Sequence, residues 1–263
     1  MLRRSAFLFL TLNLLALTAY GQTTSKTATK TAGAQKTGAS AKNRASATAS
    51  KNPRAIIHTT AGNMSCELFA DKAPKAVANF IGLAKGTKDW TNPATKTVEH
   101  NKPLYDGVIF HRVIPNFMIQ GGDPTGTGTG NIGFALEDEL FPDLLFDKPG
   151  RLAYANAGRN TSSSQFFITE KELPSLNPCF KDEPCPGLVA GPHAGYTIFG
   201  QCDANTVVLE KKIARMSRDG QDRPYDPVKI RHIDIVNSTS AKPPVRKTPG
   251  SKTATPGKTA PKQ

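Results

Sequence analysis

The stretch Phe110 to Asp123, F-H-R-V-I-P-N-F-M-I-Q-G-G-D, sets one guanidinium (Arg112) and one long amide (Gln120) among large apolar side chains. No carboxylate falls between Arg112 and Gln120 to neutralise the cation. Such a set suits a shallow apolar pocket with one fixed positive charge and one amide donor and acceptor at its rim. It also suits a core strand carrying a solvated arginine, and this stretch alone does not separate the two. Val108, Ile109, Phe110, Val113 and Ile114 have the β-branched and aromatic character of a strand. Pro115-Asn116 supplies a turn, and Phe117 to Gln120 resumes as a second strand before Gly121-Gly122. Period-2 alternation predicts Met118 and Gln120 on one face and Phe117 and Ile119 on the other.

A second informative stretch is Arg151 to Phe167, R-L-A-Y-A-N-A-G-R-N-T-S-S-S-Q-F-F. The small residues Ala155, Ala157 and Gly158 around Asn156 would let the backbone of a ligand approach closely, with Asn156 offering hydrogen bonds. Gln165 and Phe167 share one strand face. Together with Arg112, Met118 and Gln120 they describe a groove for an extended peptide beside an apolar hollow.

Other motifs carry little. Gly128-x-Gly130-x-x-Gly133 matches a dinucleotide fingerprint as a string, but Asp123-Pro124 precedes it and no βαβ unit surrounds it, so a loop is expected. There is no G-K-[ST] phosphate loop and no G-x-S-x-G elbow, and the five histidines are scattered. The Cys179–Cys185 spacing has no histidine pair nearby and does not read as zinc, so neither metal nor cofactor is expected.

The elements that must hold these residues follow from pattern. Ala55–Thr59 and Met64–Phe69 read as a hairpin. Asp71 is the expected cap of a helix with Pro74 in its first turn, a stripe of Val77, Phe80, Ile81 and Ala84, and Gly86 as its stop. Trp90 lies in a polar loop and reads as a packing anchor. Strands are expected at 151–155, 165–169 and 196–200. A helix is expected over 207–216, where Val208, Ile213 and Met216 fall at loosely helical spacing, with Asp203 or Asn205 as its cap. In 230–236, Ile230, His232 and Asp234 alternate against Arg231, Ile233 and Ile235. Short strands with two widely separated helices indicate a β-barrel or sandwich.

Composition divides the chain. Residues 1–54 hold nine basic residues and no acidic one, and residues 238–263 hold six and none. Of the thirty-four basic residues, nineteen therefore remain in 55–237 against twenty-one acidic ones, so the net charge of +13 belongs to the ends. That excludes reading the body as a nucleic-acid binder from its charge. Residues 1–21 (Arg3 and Arg4, an apolar run from Ala6 to Ala19, then Ala19-Tyr20-Gly21) read as a secretory signal cleaved near Gln22. The expected location is thus periplasmic or extracellular, with no stable membrane insertion after cleavage. Residues 22–53 and 238–263, rich in Thr, Ala, Lys, Gly and Pro, are expected to be disordered, leaving 54–237 as one domain, expected to be monomeric. Four cysteines in an exported chain favour disulfides: Cys179 and Cys185 could close a small loop, while Cys66 and Cys202 could pair or remain buried thiols.

From about Ile56 to Val236 the chain resembles the cyclophilin-type peptidyl-prolyl cis-trans isomerases. The resemblance is carried by F-H-R-V-I-P-N-F-M-I-Q-G-G-D, A-N-A-G-R-N-T-S-S-S-Q-F-F-I, Y-T-I-F-G and E-L-F-A-D-K-A-P-K-A-V-A-N-F, in that family's order. It implies a closed eight-stranded antiparallel β-barrel capped by two helices, and a substrate of proline-containing polypeptide. It further implies that Arg112 is catalytic, that Phe117, Met118, Phe167 and Leu176 form the proline pocket, and that Gln120, Ala155, Asn156 and Gln165 line the groove. Tyr196 stands where many eukaryotic members carry histidine, and Ser175 where members that bind cyclosporin well carry tryptophan. A different class of activity on the same groove would be a chaperone module that binds proline segments with little turnover.

Overall fold

The computed structural model describes residues 52–180 and 194–237; the expected signal segment, the tail 238–263 and Cys185 lie outside them. Strands β1 (Arg54–Thr59) and β2 (Asn63–Leu68) form the expected hairpin. Its turn is tied by the Thr59 hydroxyl, which donates to the Gly62 carbonyl at 2.6 Å and accepts from the Ala61 and Gly62 N–H groups. Helix α1 (Pro74–Lys85) starts on proline, as expected, and ends on Gly86 in the left-handed region at φ 71°. The Asp71 cap is a correction. Ala73 occupies the cap position with no side-chain bond, and the Glu139 carboxylate accepts from the Lys75 and Ala76 N–H groups at 3.1 and 2.8 Å. Helix-start N–H groups need an acceptor from somewhere, and here one arrives from a distant segment.

The small strands β3 (Trp90–Thr91) and β4 (Val98–Glu99) pair with each other. Trp90 is buried and donates its indole N–H to the Lys102 carbonyl, the anchoring role expected of it. Then come β5 (Arg112–Ile114), β6 (Met118–Gly121), β7 (Arg151–Tyr154), β8 (Phe166–Thr169), a 3₁₀ turn (Pro174–Leu176), β9 (Ile198–Cys202), α2 (Ala204–Ala214) and β10 (Ile230–Val236). Eight of the strands form one antiparallel sheet in the order β10-β1-β2-β9-β7-β8-β6-β5. The protein is therefore mainly β, with two helices against a curled sheet. No ladder joins the outermost strands β10 and β5 among the described residues. The segments leading into them meet instead, through Gly107 N–H to Ile230 O, Ile230 N–H to Val108 O and Phe110 N–H to Val228 O.

Inside the curl, Phe80 of α1 packs on Tyr105, Phe166 and Phe199 with ring centroids 5.2–5.6 Å apart. Cys66 of β2 and Cys202 of β9 stand opposite each other and are joined by a disulfide, closing the alternative left open by the sequence. Cys179 is also disulfide-bonded.

Two face assignments need correcting. In α2 the Asp203 carboxylate caps Thr206 N–H at 2.8 Å, one of the two caps anticipated, but Val208 is 55% exposed and Met216 lies beyond the helix. The buried stripe is Thr206, Val207, Glu210, Ile213 and Ala214. A polar residue in that stripe breaks the apolar pattern on which the prediction relied. In β10 the register slips opposite His58/Thr59, so Ile230 and Ile233 are both buried while Arg231 and His232 both face out. Ile230 therefore does not share a face with His232 and Asp234, because the one-residue bulge at Arg231 resets the alternation.

Candidate active site

Cross-strand register builds the site. One row, Val113–Ile119–Ile168–Leu152 across β5, β6, β8 and β7, is fully buried in the main core. The next row, Arg112–Gln120–Phe167–Ala153, lies on the opposite face, because successive residues in a strand alternate. Met118, two residues from Gln120, adds to that face, as expected. Phe117 does not join the Ile119 face. It sits in the turn before β6, where Asn116 takes φ 59°, and it packs beside Met118 instead.

A hollow of about 220 Å³ opens on this row. It is lined by Arg112, Phe117, Met118, Gln120, Ala155, Asn156, Phe167, Leu176 and Tyr196, which are nine of the ten residues singled out in the sequence. The tenth, Gln165, lies in an adjoining groove of about 700 Å³ that shares Gln120, Ala155 and Asn156. The floor is apolar and dense: Met118 and Leu176 are each 2% exposed and Phe167 5%. Beneath it stand two residues the sequence reading passed over, Leu144 and Phe146. The Phe146 ring stacks on Phe167 at 5.8 Å, and Tyr196 meets Phe167 edge-on at 5.5 Å. Such aromatic pairs fix the orientation of the floor.

The rim is polar and ordered by its own bonds. Gln120 Nε2 donates to Gln165 Oε1 at 3.0 Å, and Gln165 Nε2 donates to the Gly128 carbonyl at 3.0 Å. Asn156 spends its amide on local structure, donating to Gly195 O at 2.7 Å, while its main-chain N–H and C=O have no partner among the described residues. A guest peptide could pair with those two groups. The side chain of Arg112 is 43% exposed and has as its charged neighbour Asp222, at 3.9 Å from Nε, beyond hydrogen-bond length. Asp222 is itself hydrogen-bonded by Arg218 at 3.1 Å, and its carbonyl accepts from Val113 N–H. Asp222 thus attracts the guanidinium without capturing it. The adjacent His111 is buried with both ring nitrogens unpaired. Burial pushes its pKa down, Arg112 and Arg223 push the same way, and Asp123 acts against them. A neutral imidazole leaves Arg112 as the cation of the pair.

The glycine string is explained by Asp123, a wholly buried carboxylate on which the loop is wound. It accepts from the N–H groups of Thr125, Gly128 and Gly130 and from the Thr125 hydroxyl. A Cβ at Gly130 would run into that carboxylate. These amides already serve a carboxylate of the chain, so the string is a wall of the groove and not a phosphate cradle.

The family model for cyclophilin type peptidyl-prolyl cis-trans isomerases matches residues 54–235. The chain belongs to this family. It is 47% identical over 182 residues to the peptidyl-prolyl cis-trans isomerase A of Mycobacterium tuberculosis, covering 69% of this chain and 91% of that protein. It is 40% identical over 183 residues to isomerase B of Streptomyces anulatus, covering 69% and 95%. A Cryptosporidium parvum cyclophilin solved in the presence of the dipeptide Ala-Pro superposes with a TM-score of 0.54 at 33% identity, over 69% of this chain and 98% of that one. The chain is a cyclophilin-type peptidyl-prolyl cis-trans isomerase, an enzyme that accelerates rotation about the bond preceding proline.

One buried pair behind the site has a consequence for pH. Glu170 is 3% exposed; its carboxylate accepts from Asn116 N–H at 2.8 Å and from both Arg215 Nη groups at 2.7 and 3.0 Å. Burial pushes its pKa up, but these bonds outweigh it and hold it below the usual range. Glu210 is fully buried with neither oxygen bonded, and burial, seconded by the charge of Glu170, pushes its pKa up to about 8. The folded state therefore holds a proton on Glu210 that the unfolded chain releases near pH 4.5. The resulting stability is fully present below that pH and is lost as pH rises through about 8. Glu210→Gln, which cannot ionise, is expected to raise Tm by several degrees at pH 8.5 and to change it little at pH 4.5. Thermal scans at the two pH values check this.

Proposed function

We propose that this enzyme acts on X-Pro bonds of exported proteins as they fold, with Arg112 stabilising the twisted amide. Rotation of a peptide bond meets a barrier of roughly 18–20 kcal/mol because the nitrogen lone pair is delocalised into the carbonyl. An X-Pro bond populates both isomers but exchanges over tens of seconds. No covalent step is needed: at 90° of twist the nitrogen is pyramidal and basic, and a donor aimed at it binds the twisted state more strongly than either planar one. The proline ring fits the Phe117, Met118, Phe167 and Leu176 floor. Gln120 and the main chain of Asn156 grip the flanking residues, and Arg112 donates to the proline nitrogen. A rate gain on the order of 10⁵ requires about 7 kcal/mol. A charge-assisted hydrogen bond formed only in the twisted state, together with positioning of the chain, is of that order.

The observation that carries this reading is the facing pair Arg112 and Gln120, set by register at the mouth of an apolar hollow, with the Arg112 guanidinium hydrogen-bonded to none of the described residues. The test is NMR exchange spectroscopy on an Ala-Pro peptide with the full chain, together with mass analysis of the N-terminus of the secreted protein. Exchange cross-peaks at catalytic enzyme concentration and a mature chain starting near Gln22 are expected. Binding without exchange would turn the site into the chaperone module instead, and an intact Met1 in a cytoplasmic chain would refute the exported role.

A further inference from the structure

At the far end of the sheet order from the hollow, β1 and β10 place His58 directly opposite His232, with Asp234 two residues along the same face. The sequence separates His58 widely from His232 and Asp234, so their convergence appears only in the fold. The imidazoles are stacked, with centroids 4.2 Å apart and planes within 17°. His58 Nε2 lies 3.1 Å and His232 Nε2 3.8 Å from the same oxygen, Asp234 Oδ2, and one donor atom from each residue falls within 4.8 Å of the others. On the other side of the His58 ring, Nδ1 is bonded to Asn63 Oδ1 at 3.1 Å. The amide oxygen can only accept, so Nδ1 donates to it, and a metal ion would take the place of the proton through which Nε2 meets the Asp234 carboxylate. The bulge at Arg231 is what turns His232 outward beside Asp234. A second acid, Asp106, lies close enough for His232 to act on its carboxyl and adds negative potential.

We propose that His58, His232 and Asp234 bind a divalent transition-metal ion of the zinc type, clasping the first strand of the domain to its last. The argument is one of donor chemistry and spacing. Two imidazoles and a carboxylate are a zinc donor set, and at bond lengths of roughly 2.0–2.2 Å tetrahedral ligand atoms stand about 3.4 Å apart, between the two separations found here. Asn63 supplies the outer hydrogen bond that orients a ligating histidine, and loss of such a bond costs about 10–100-fold in metal affinity. An ion shared by β1 and β10 binds the folded chain and not the unfolded one, so it would stabilise the pairing of the chain's two end strands. The three side chains leave room for water on the open side, which makes the site an exchangeable one.

The experiment is calorimetric titration of the untagged full chain with Zn²⁺, backed by visible absorption of the Co²⁺ form. One equivalent is expected to bind, with tetrahedral-type Co²⁺ bands. Affinity is expected to fall more than about 100-fold in His232→Ala and His58→Ala, and about 10–100-fold in Asn63→Ala. Isomerase turnover of the metal-free His58→Ala chain is expected to match that of the metal-free wild type. The proposal is overturned if wild-type protein takes up no Zn²⁺ below millimolar concentration, or if both histidine variants bind as the wild type does.

Discussion

Arg112→Ala is expected to leave the fold standing and to lower kcat/KM for a proline-containing peptide by about 10²–10³-fold, the usual consequence of removing one donor aimed at developing charge. The fold should survive because the side chain is 43% exposed and its link to Asp222, at 3.9 Å, is too long to hold much. Asp222 keeps Arg218 as its partner after the change, so no carboxylate is stranded. Activity should fall because none of the described neighbours can replace the donor. Gln120 is already committed to Gln165, and burial keeps His111 neutral. Arg112→Lys should recover only a small part, since an ammonium on a flexible stem cannot hold the position that a planar fork holds. A protease-coupled assay with thermal scans of each variant separates the two effects. Wild-type turnover by the alanine variant would remove Arg112 from the mechanism, and a lowered Tm would assign the loss to folding.

Part of the hollow was legible in the sequence because Arg112, Phe117, Met118 and Gln120 sit on two short strands of clear period and the turn between them, whereas Leu176 and Tyr196 came only with the family resemblance. Arg112, Met118 and Gln120 are local to one hairpin, and Phe167 lies on β8, the strand paired beside it, with Gln165 just before that strand. Local spacing fixes which of these share a face once register is set. The supporting parts were not legible, for a common physical reason: each depends on a contact made from far along the chain. Leu144 and Phe146 lie in a stretch without regular structure, so no periodicity marks them as the underside of the floor. Glu139 caps a helix that begins 65 residues earlier, displacing the nearby Asp71 that local rules favoured. Asp123 looked like a turn residue, and only the folded loop shows it as the hub for three amides. Glu210 carried no signal in the sequence, yet α2 buries it within reach of the charge of Glu170. The pairing of His58 with His232, and of Cys66 with Cys202, is a fact of strand order that spacing along the chain cannot reveal.

Cys66→Ala/Cys202→Ala is expected to lower the stability of the domain by about 2–5 kcal/mol, the range for removing a native disulfide. The upper end applies if chain entropy dominates, since a bond across 136 residues restricts the unfolded chain by about 5 kcal/mol. For a domain of this size that corresponds to a fall in Tm of roughly 5–20 °C. Reduction of the wild type by a thiol should reproduce the shift, and thiol should leave the double variant unchanged apart from any effect through Cys179. The loop that this bond closes contains β5 to β8, so every residue lining the hollow lies between Cys66 and Cys202. Neither cysteine touches the hollow, however, and both are buried in the main core. The variant should therefore turn over substrate normally at low temperature and lose activity only as it unfolds. Equal Tm values with and without the bond would mean that the unfolded chain is already restrained. An oxidising compartment would then offer this enzyme no advantage through Cys66 and Cys202, and the case for export would rest on the N-terminal segment alone.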